Sequence, residues 1–283
     1  MDEIDNYYLG ITDQKIIYKN KDNIFSFYPE VLWIRMLDLN RIQTLNMSDF
    51  SQKWSSLEWH QTLEGLALAH TSSMNPIQSL YYASNKIYQA HIAKKIGVNV
   101  PEFIVSNNKE EITKFFNKHD SIIAKPLHGE IIKKRNNDDE ILYANIISKE
   151  TIDIANEKEI MSTPILFQEY IKKELELRVT IVDKKIFSCA IHSQSSHISS
   201  IDWRRYDIKN TPHYIYVLPK NIEDKLLQIM KHFNLIYGAF DLVKTKNGEY
   251  YFLEVNPTGQ WLWIEELTGL KISQSIAEWL ISN

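Results

Sequence analysis

Three oxygen-bearing side chains near the C-terminus open the chemistry. Glu254 and Asn256 stand two residues apart, and Asp241 lies thirteen residues before Glu254. Alternation along a strand puts Glu254 and Asn256 on one face. The Asn247-Gly248 pair between them and Asp241 is a strong hairpin signal, so the chain folds Asp241 back beside them. Two carboxylates and an amide oxygen are hard donors of the kind Mg²⁺ takes together with phosphate oxygens and water. Exposed polar positions on an edge strand would also account for Glu254 and Asn256. The apolar run Tyr250-Tyr251-Phe252-Leu253 just before them argues for a buried strand with functional residues at its tip.

Two lysines could complement such a site. Lys125 ends the strand Ile122-Ile123-Ala124 and precedes Pro126 and Gly129, where a cation beside a glycine-containing loop can meet a phosphate. Lys86 begins the second half of a helix. Taken singly, each also reads as a solvated surface lysine. The segment Phe167-Gln168-Glu169-Tyr170-Ile171, with Glu174 just beyond, is a strand running into a polar linker. Its backbone could meet an adenine edge and its acid a ribose, though alone it is equally an ordinary strand-to-loop junction. Cys189 lies within an apolar strand and reads as core. His192 and His197 lack paired metal-ligand spacing.

These residues need elements to hold them. Residues 1–45 read as short strands, including Lys15-Ile16-Ile17-Tyr18 and Val31-Leu32-Trp33-Ile34, and residues 50–96 as two helices. Leu57, Leu63, Leu66 and Leu68 mark the face of the first. Ile77, Leu80, Tyr81, Ser84 and Tyr88 mark the second, which Gly97 and Pro101 close. Beyond residue 102 strands alternate with helices: strands at 103–105, 121–125, 165–170, 177–182 and 186–191, helices at 109–116 and 221–233. The hairpin 237–255 and a helix at 272–281 close an α+β chain with mixed sheets. The boundaries fall near 100 and near 160. The chain has 283 residues, a net charge of -4 and one cysteine, which argues against nucleic-acid binding, a disulfide framework and a cysteine-based zinc site. No 18-residue apolar run spans a membrane and no signal peptide is read, so a reducing cytoplasm is expected.

The ordered set Asn85-Lys86, Ala124-Lys125-Pro126, Gln168-Glu169-Tyr170-Ile171, Glu176-Leu177-Arg178, Phe240-Asp241 and Leu253-Glu254-Val255-Asn256-Pro257 resembles the ATP-grasp superfamily. Within it, Met74-Asn75-Pro76, Gly97-Val98-Asn99-Val100-Pro101, Asp202-Trp203-Arg204 and Thr258-Gly259-Gln260-Trp261 look like the graspetide synthetases, the microviridin-type maturases of ribosomal peptides. The resemblance covers roughly residues 28–281. It implies an ATP-grasp fold, two α+β subdomains clasping ATP, behind a reduced N-terminal pre-ATP-grasp domain that begins shortly before Trp33-Ile34-Arg35. The implied division is 1–100, 101–160 and 161–283.

The same resemblance implies roles. Lys86 and Lys125 contact ATP phosphates, the 168–171 segment (Gln168, Glu169, Tyr170, Ile171) meets adenine, and Glu174 meets ribose. Asp241, Glu254 and Asn256 hold Mg²⁺. Arg178 and Arg204 sit near the γ-phosphate and the acyl phosphate, with Arg205 an alternative to Arg204. The implied activity is an ATP-dependent ligase that forms ester or amide side-chain crosslinks in a precursor peptide, recognised by leader and core. Addition of a free amino acid and a non-catalytic ATP-binding scaffold are the alternatives. A homodimer is expected. Residues 133–140 are expected to act as a lid, and 184–215 to bind the leader.

Overall fold

A computed structural model describes residues 7–11, 16–20, 23–27, 29–35, 48–70, 72–127, 131–133, 139–141, 143–205 and 207–283. In chain order the elements are β1 (Tyr7–Ile11), β2 (Ile16–Asn20), β3 (Asn23–Phe27), β4 (Leu32–Trp33), α1 (Asp49–Ala69), β5 (Ser73–Met74), α2 (Ile77–Ala83) and α3 (Lys86–Ile96). Then come β6 (Phe103–Ser106), α4 (Lys109–Phe116), β7 (Ile122–Lys125), β8 (Ile131–Lys133), β9 (Asp139–Ile141), β10 (Asn145–Ile147), α5 (Lys149–Ile154), α6 (Glu157–Ser162) and β11 (Ile165–Glu169). The last are β12 (Lys173–Val182), β13 (Lys185–Ile191), β14 (His213–Ile215), α7 (Lys220–His232), β15 (Tyr237–Thr245), β16 (Tyr250–Asn256), α8 (Leu262–Thr268) and α9 (Ile272–Ser282).

Two antiparallel sheets carry the chemistry: β10-β7-β11-β6 and β14-β13-β12-β15-β16. The division between them falls after Glu169. β11, which follows the expected boundary near 160 in sequence, pairs with β6 and β7 in the first sheet. The partners of β11 on β6 lie about sixty residues earlier along the chain, beyond the reach of local punctuation. The lid run 133–140 contributes its ends to an antiparallel β8–β9 pair, and residues 134–138 lie outside the described residues.

The five-stranded sheet is covered on both faces. On one, Leu177, Val179, Ile181, Leu242 and Phe252 pack against Ile92 and Ala93 of α3 and Leu226, Ile229 and Met230 of α7. On the other, Val182, Cys189, Ile191 and Tyr237 pack against Met74, Ile264, Ile272 and Ile276. Cys189 is core as expected, and burial pushes its thiol up to about 12.

Local signals explain most element ends. Gly97 stops α3 in the left-handed region at φ 88°, as anticipated. Gly248 takes φ 81° in the β15–β16 turn. The helix expected over 77–96 is instead two. Ser84 ends α2, and Asn85 caps α3 by accepting a bond from the Tyr88 N–H at 2.9 Å. Lys86 therefore opens a helix rather than continuing one. On α1, Leu57 and Leu68 are exposed while Ala67 is buried, so the leucine spacing does not mark the packed face.

Two buried amides tie the helical region to the five-stranded sheet. Gln89 Oε1 accepts from Val255 N at 2.8 Å, and its Nε2 donates to Val255 O at 2.9 Å, which finishes the outer edge of β16. Asn75, wholly buried at φ 66°, accepts from Ile236 N and Tyr237 N and donates to Tyr237 O and Pro257 O. Replacing Gln89 with Leu strands both backbone groups of Val255. We expect Q89L to lose about 3 kcal/mol in equilibrium chemical denaturation, an unsatisfied buried donor and acceptor together.

Candidate active site

β15 and β16 do not pair regularly. Leu242 faces Phe252, yet Asp241 faces Glu254, so Leu253 is an extra residue that bulges out of register. Bulges re-aim side chains next to functional sites. Here the effect is specific: without the extra residue, Leu253 would stand opposite Asp241. With it, two carboxylates meet across the ladder. Asn256 lies two pairs further, opposite Ala239. Its side chain is exposed, and Oδ1 accepts from Thr258 N at 3.0 Å and Thr258 Oγ1 at 3.2 Å.

Cations converge on these acids from separate elements. Arg178 sits opposite Asp241 in the β12–β15 ladder and donates to it at 3.0 Å. Lys86, from the first turn of α3, lies 3.2 Å from Glu254 and also donates to Pro126 O at 3.2 Å. Arg204 donates to Glu254 at 3.3 Å and to both carboxylate oxygens of Asp202 at 2.8 Å. Lys125, at the end of β7, lines the same cleft. Arg205 turns away, donating to Ala144 O and Asn145 Oδ1 and lying 5.6 Å from the Tyr143 ring. Arg204 is thus the arginine of that pair at the site.

Electrostatics follow from this crowding. Burial raises Glu254, but Lys86, Arg204 and Lys125 outweigh it and hold the carboxyl well below its usual range. For Asp241 burial prevails over Arg178 and, with Glu254 opposite, lifts the carboxyl above its ordinary value. Burial pushes Lys125 down to about 8, against the pull of Glu254 and with the push of Lys86 and Arg204.

The cleft is lined by Ile123, Gln168, Glu169, Tyr170, Ile171, Val243 and Leu253 at its apolar end. Gln168 is buried with Oε1 unpartnered. Among the described residues no backbone bond engages Ile171. Buried polar groups are almost always paired, so both invite a ligand's polar edge. Glu174 does not line this cleft. It is the extra residue where β12 slips against β15 between Lys173 and Leu175, and it pairs outward with Lys244 at 2.7 Å on the rim of a neighbouring groove. Glu176 faces in instead, paired with buried Lys173 at 2.7 Å, and burial lifts its carboxyl to about 7 despite that lysine.

Sequence reasoning missed the cleft placement of Glu176, Lys173 and Asp202. Of the stretch 184–215, Trp203 is not a free anchor. It is buried, stacked on Trp263 at 4.8 Å and under Arg178 at 5.8 Å. Ile198, Ile208, Tyr214 and Ile215 are exposed, and Tyr206 lies outside the described residues.

Two clustered carboxylates, an amide oxygen nearby and four cations around them suit a metal–polyphosphate ligand. Among the described residues no group of three or more His, Cys, Asp or Glu side chains gathers as a protein-only metal cage. A donor set of two carboxylates fits Mg²⁺, which keeps water and phosphate ligands. Residues 83–280 match the RimK-like ATP-grasp domain. The chain belongs to that family. This ATP-grasp chain is similar to macrocyclase MdnC of Microcystis aeruginosa MRC, solved with precursor peptide MdnA, at 29% identity and TM-score 0.86 over 99% of this chain and 88% of that one. It is similar to a RiPP-associated ATP-grasp ligase of Chryseobacterium gregarium, solved with ADP and a leader and core peptide, at 26% identity and TM-score 0.85 over 98% and 84%. Macrocyclase MdnB of M. aeruginosa MRC, at 24% identity and TM-score 0.77 over 98% and 86%, shares the ATP-grasp fold. No curated protein matched the sequence.

Gly259 is needed for close approach. A Cβ there would stand 2.6 Å from Ala239 Cβ and 2.7 Å from Arg178 Nη2. G259A should displace Arg178 and cost about 10²-fold in kcat, the scale of an ångström's misplacement, measured as ADP release. Lys125 carries charge below about pH 8 and loses it above. Nucleotide affinity measured by calorimetry should therefore fall as pH rises through that value, and K125R, which stays charged, should flatten the profile.

Proposed function

We propose that this ATP-grasp ligase forms ester or amide side-chain crosslinks in a ribosomally made precursor peptide. The observation that carries the reading is the convergence of Lys86, Lys125, Arg178 and Arg204 on the facing pair Asp241 and Glu254, in one cleft. The extent of likeness to MdnC, a macrocyclase solved with its precursor peptide, supports the peptide substrate.

In the proposed reaction a carboxylate side chain of the peptide attacks the γ-phosphorus of ATP, giving an acyl phosphate and ADP. A hydroxyl or amine of the same peptide then attacks the acyl carbon, expelling phosphate and losing its proton. Mg²⁺, held by Asp241 and Glu254 with Asn256 beside them, would supply charge neutralisation at the phosphates. Lys86 and Lys125 hold the phosphates, and Arg204 and Arg178 offset charge at the transferred group. Before nucleotide enters, Glu254 and Asp241 keep three of these cations in place, so the positive groups are preorganised rather than recruited. Gln168, Glu169, Tyr170 and Ile171 take the adenine end. Glu176, which faces the cleft, is better placed than outward-turned Glu174 to accept from ribose hydroxyls.

The single cysteine supports a reducing cytoplasm, and no helix among the described residues is long and apolar enough to cross a membrane. Exposed Phe50, Trp54 and Leu57 on α1 offer an apolar face for the proposed homodimer. The exposed side chains within 184–215 are the part of that stretch available to a leader.

The test is incubation with ATP, Mg²⁺ and the short peptide encoded beside the gene, expected to repeat Thr with Glu or Asp. Mass spectrometry should show loss of one water per bond formed. A mass gain by a free amino acid would favour amino-acid addition, and nucleotide binding without ADP formation would favour a scaffold.

A further inference from the structure

The motif Trp33-Ile34-Arg35 lies outside the matched domain, yet its arginine reaches the catalytic loop. Arg35 Nη1 donates to Gly259 O at 3.2 Å, across 224 residues of sequence. Its guanidinium lies 4.3 Å from the Trp261 ring, 4.9 Å from Trp33 and 5.9 Å from Tyr237. Tyr237 Oη donates to the same Gly259 carbonyl at 2.7 Å. Trp261 is fixed from its far edge by Nε1 donating to Ser273 at 2.9 Å. A half-buried cation held among three aromatic rings is worth most where water is thinned out.

The carbonyl that Arg35 holds lies between two groups of the active site. Gly259 N donates back to Asn256 O at 3.2 Å. The next carbonyl, Gln260 O, accepts from Arg178 Nη2 at 3.1 Å, while Arg178 Nη1 holds Asp241 at 3.0 Å. A continuous path of contacts therefore runs from Arg35 through Gly259 and Gln260 to Arg178 and Asp241, and through Gly259 to Asn256. Burial disfavours the charged guanidinium and prevails over the opposing pull of Tyr237.

We propose that Arg35 is a positioning residue for the metal end of the nucleotide site, acting through the 257–261 loop. It touches neither nucleotide nor substrate. It sets where Asn256 and the Arg178–Asp241 pair stand. The inference rests on the ATP-grasp reading of the cleft and is independent of which peptide is the substrate.

The experiment is calorimetric titration of ADP into R35M and R35K, with and without Mg²⁺, alongside thermal unfolding. Arg35→Met keeps the aliphatic stem between the indoles and removes the charge and the donor. R35M should weaken ADP binding in Mg²⁺ by about tenfold or more, the usual cost of losing a group that orients metal ligands, and leave metal-free ADP binding unchanged. R35K keeps a cation over the indoles and should recover part of the loss. Equal affinity of R35M and the parent in Mg²⁺ overturns the proposal. So does an equal loss with and without metal, which marks a general packing role. If R35M does not fold, R35K decides: weakening confined to the Mg²⁺ titration supports the proposal, and no weakening overturns it. Failure of the parent chain to bind ADP at all would instead overturn the nucleotide-site reading.

Discussion

Glu254 stands opposite Asp241 because β16 carries one residue more than its partner strand between Phe252 and Glu254. The rest of the site is arranged around the consequence. Two carboxylates facing each other in a largely buried cleft repel, and each is costly unless paired. Arg178 answers Asp241 from the neighbouring strand, and Lys86 and Arg204 answer Glu254 from a helix and a loop. These partners come from β12, α3 and the segment 203–205, so one bulge fixes where three other elements must end. Removing Arg178 leaves Asp241 without its ion-pair partner, whereas Glu254 is shared between Lys86 and Arg204, so the groups act as a network rather than as a sum of separate pairs.

A second slip of one residue does the complementary sorting. In a regular strand Lys173 and Glu176 would point to opposite faces. The extra residue Glu174 reverses the alternation, so Lys173 and Glu176 meet on the cleft side while Glu174 is turned out to Lys244. The two bulges border the same cleft. One sets Glu254 opposite Asp241, the other turns Glu176 rather than Glu174 toward the cleft. Both exploit the period of two: a single insertion exchanges the faces of everything beyond it.

This explains what the sequence disclosed. The β15–β16 hairpin, the stop at Gly97 and the strand ending in Lys125 were legible because their signals are local: Asn247-Gly248, a left-handed glycine and an apolar run. The meeting of Asp241 and Glu254 was legible because a hairpin brings near neighbours together. Glu176 was not separable from Glu174, since nothing in Lys173-Glu174-Leu175-Glu176 announces which residue will be left unpaired. The break at Ser84 and Asn85 hid under a helical spacing that runs through both α2 and α3. Gln89, Asn75 and Arg35 were invisible as site supports because their partners lie 166, 162 and 224 residues away. Polar residues whose task is to satisfy distant backbone have no spacing to betray them.

Those three supports bear on what counts as the functional unit. The domain match begins at residue 83, which includes Lys86 and Gln89 but omits Arg35 and Asn75. Yet Asn75 closes four backbone bonds at the start of β15 and on Pro257, and Arg35 holds the carbonyl two residues further on. The loop after Asn256 thus receives its geometry from both sides: Arg178 and Tyr237 belong to the catalytic sheet, Arg35 and Asn75 to the segment before it. A loop fixed by partners on two bodies is held at a defined angle to each, whereas a loop fixed by one can swing with it. Arg35 and Asn75, which precede the matched domain, therefore share with Arg178 and Tyr237 the task of holding the loop that follows Asn256.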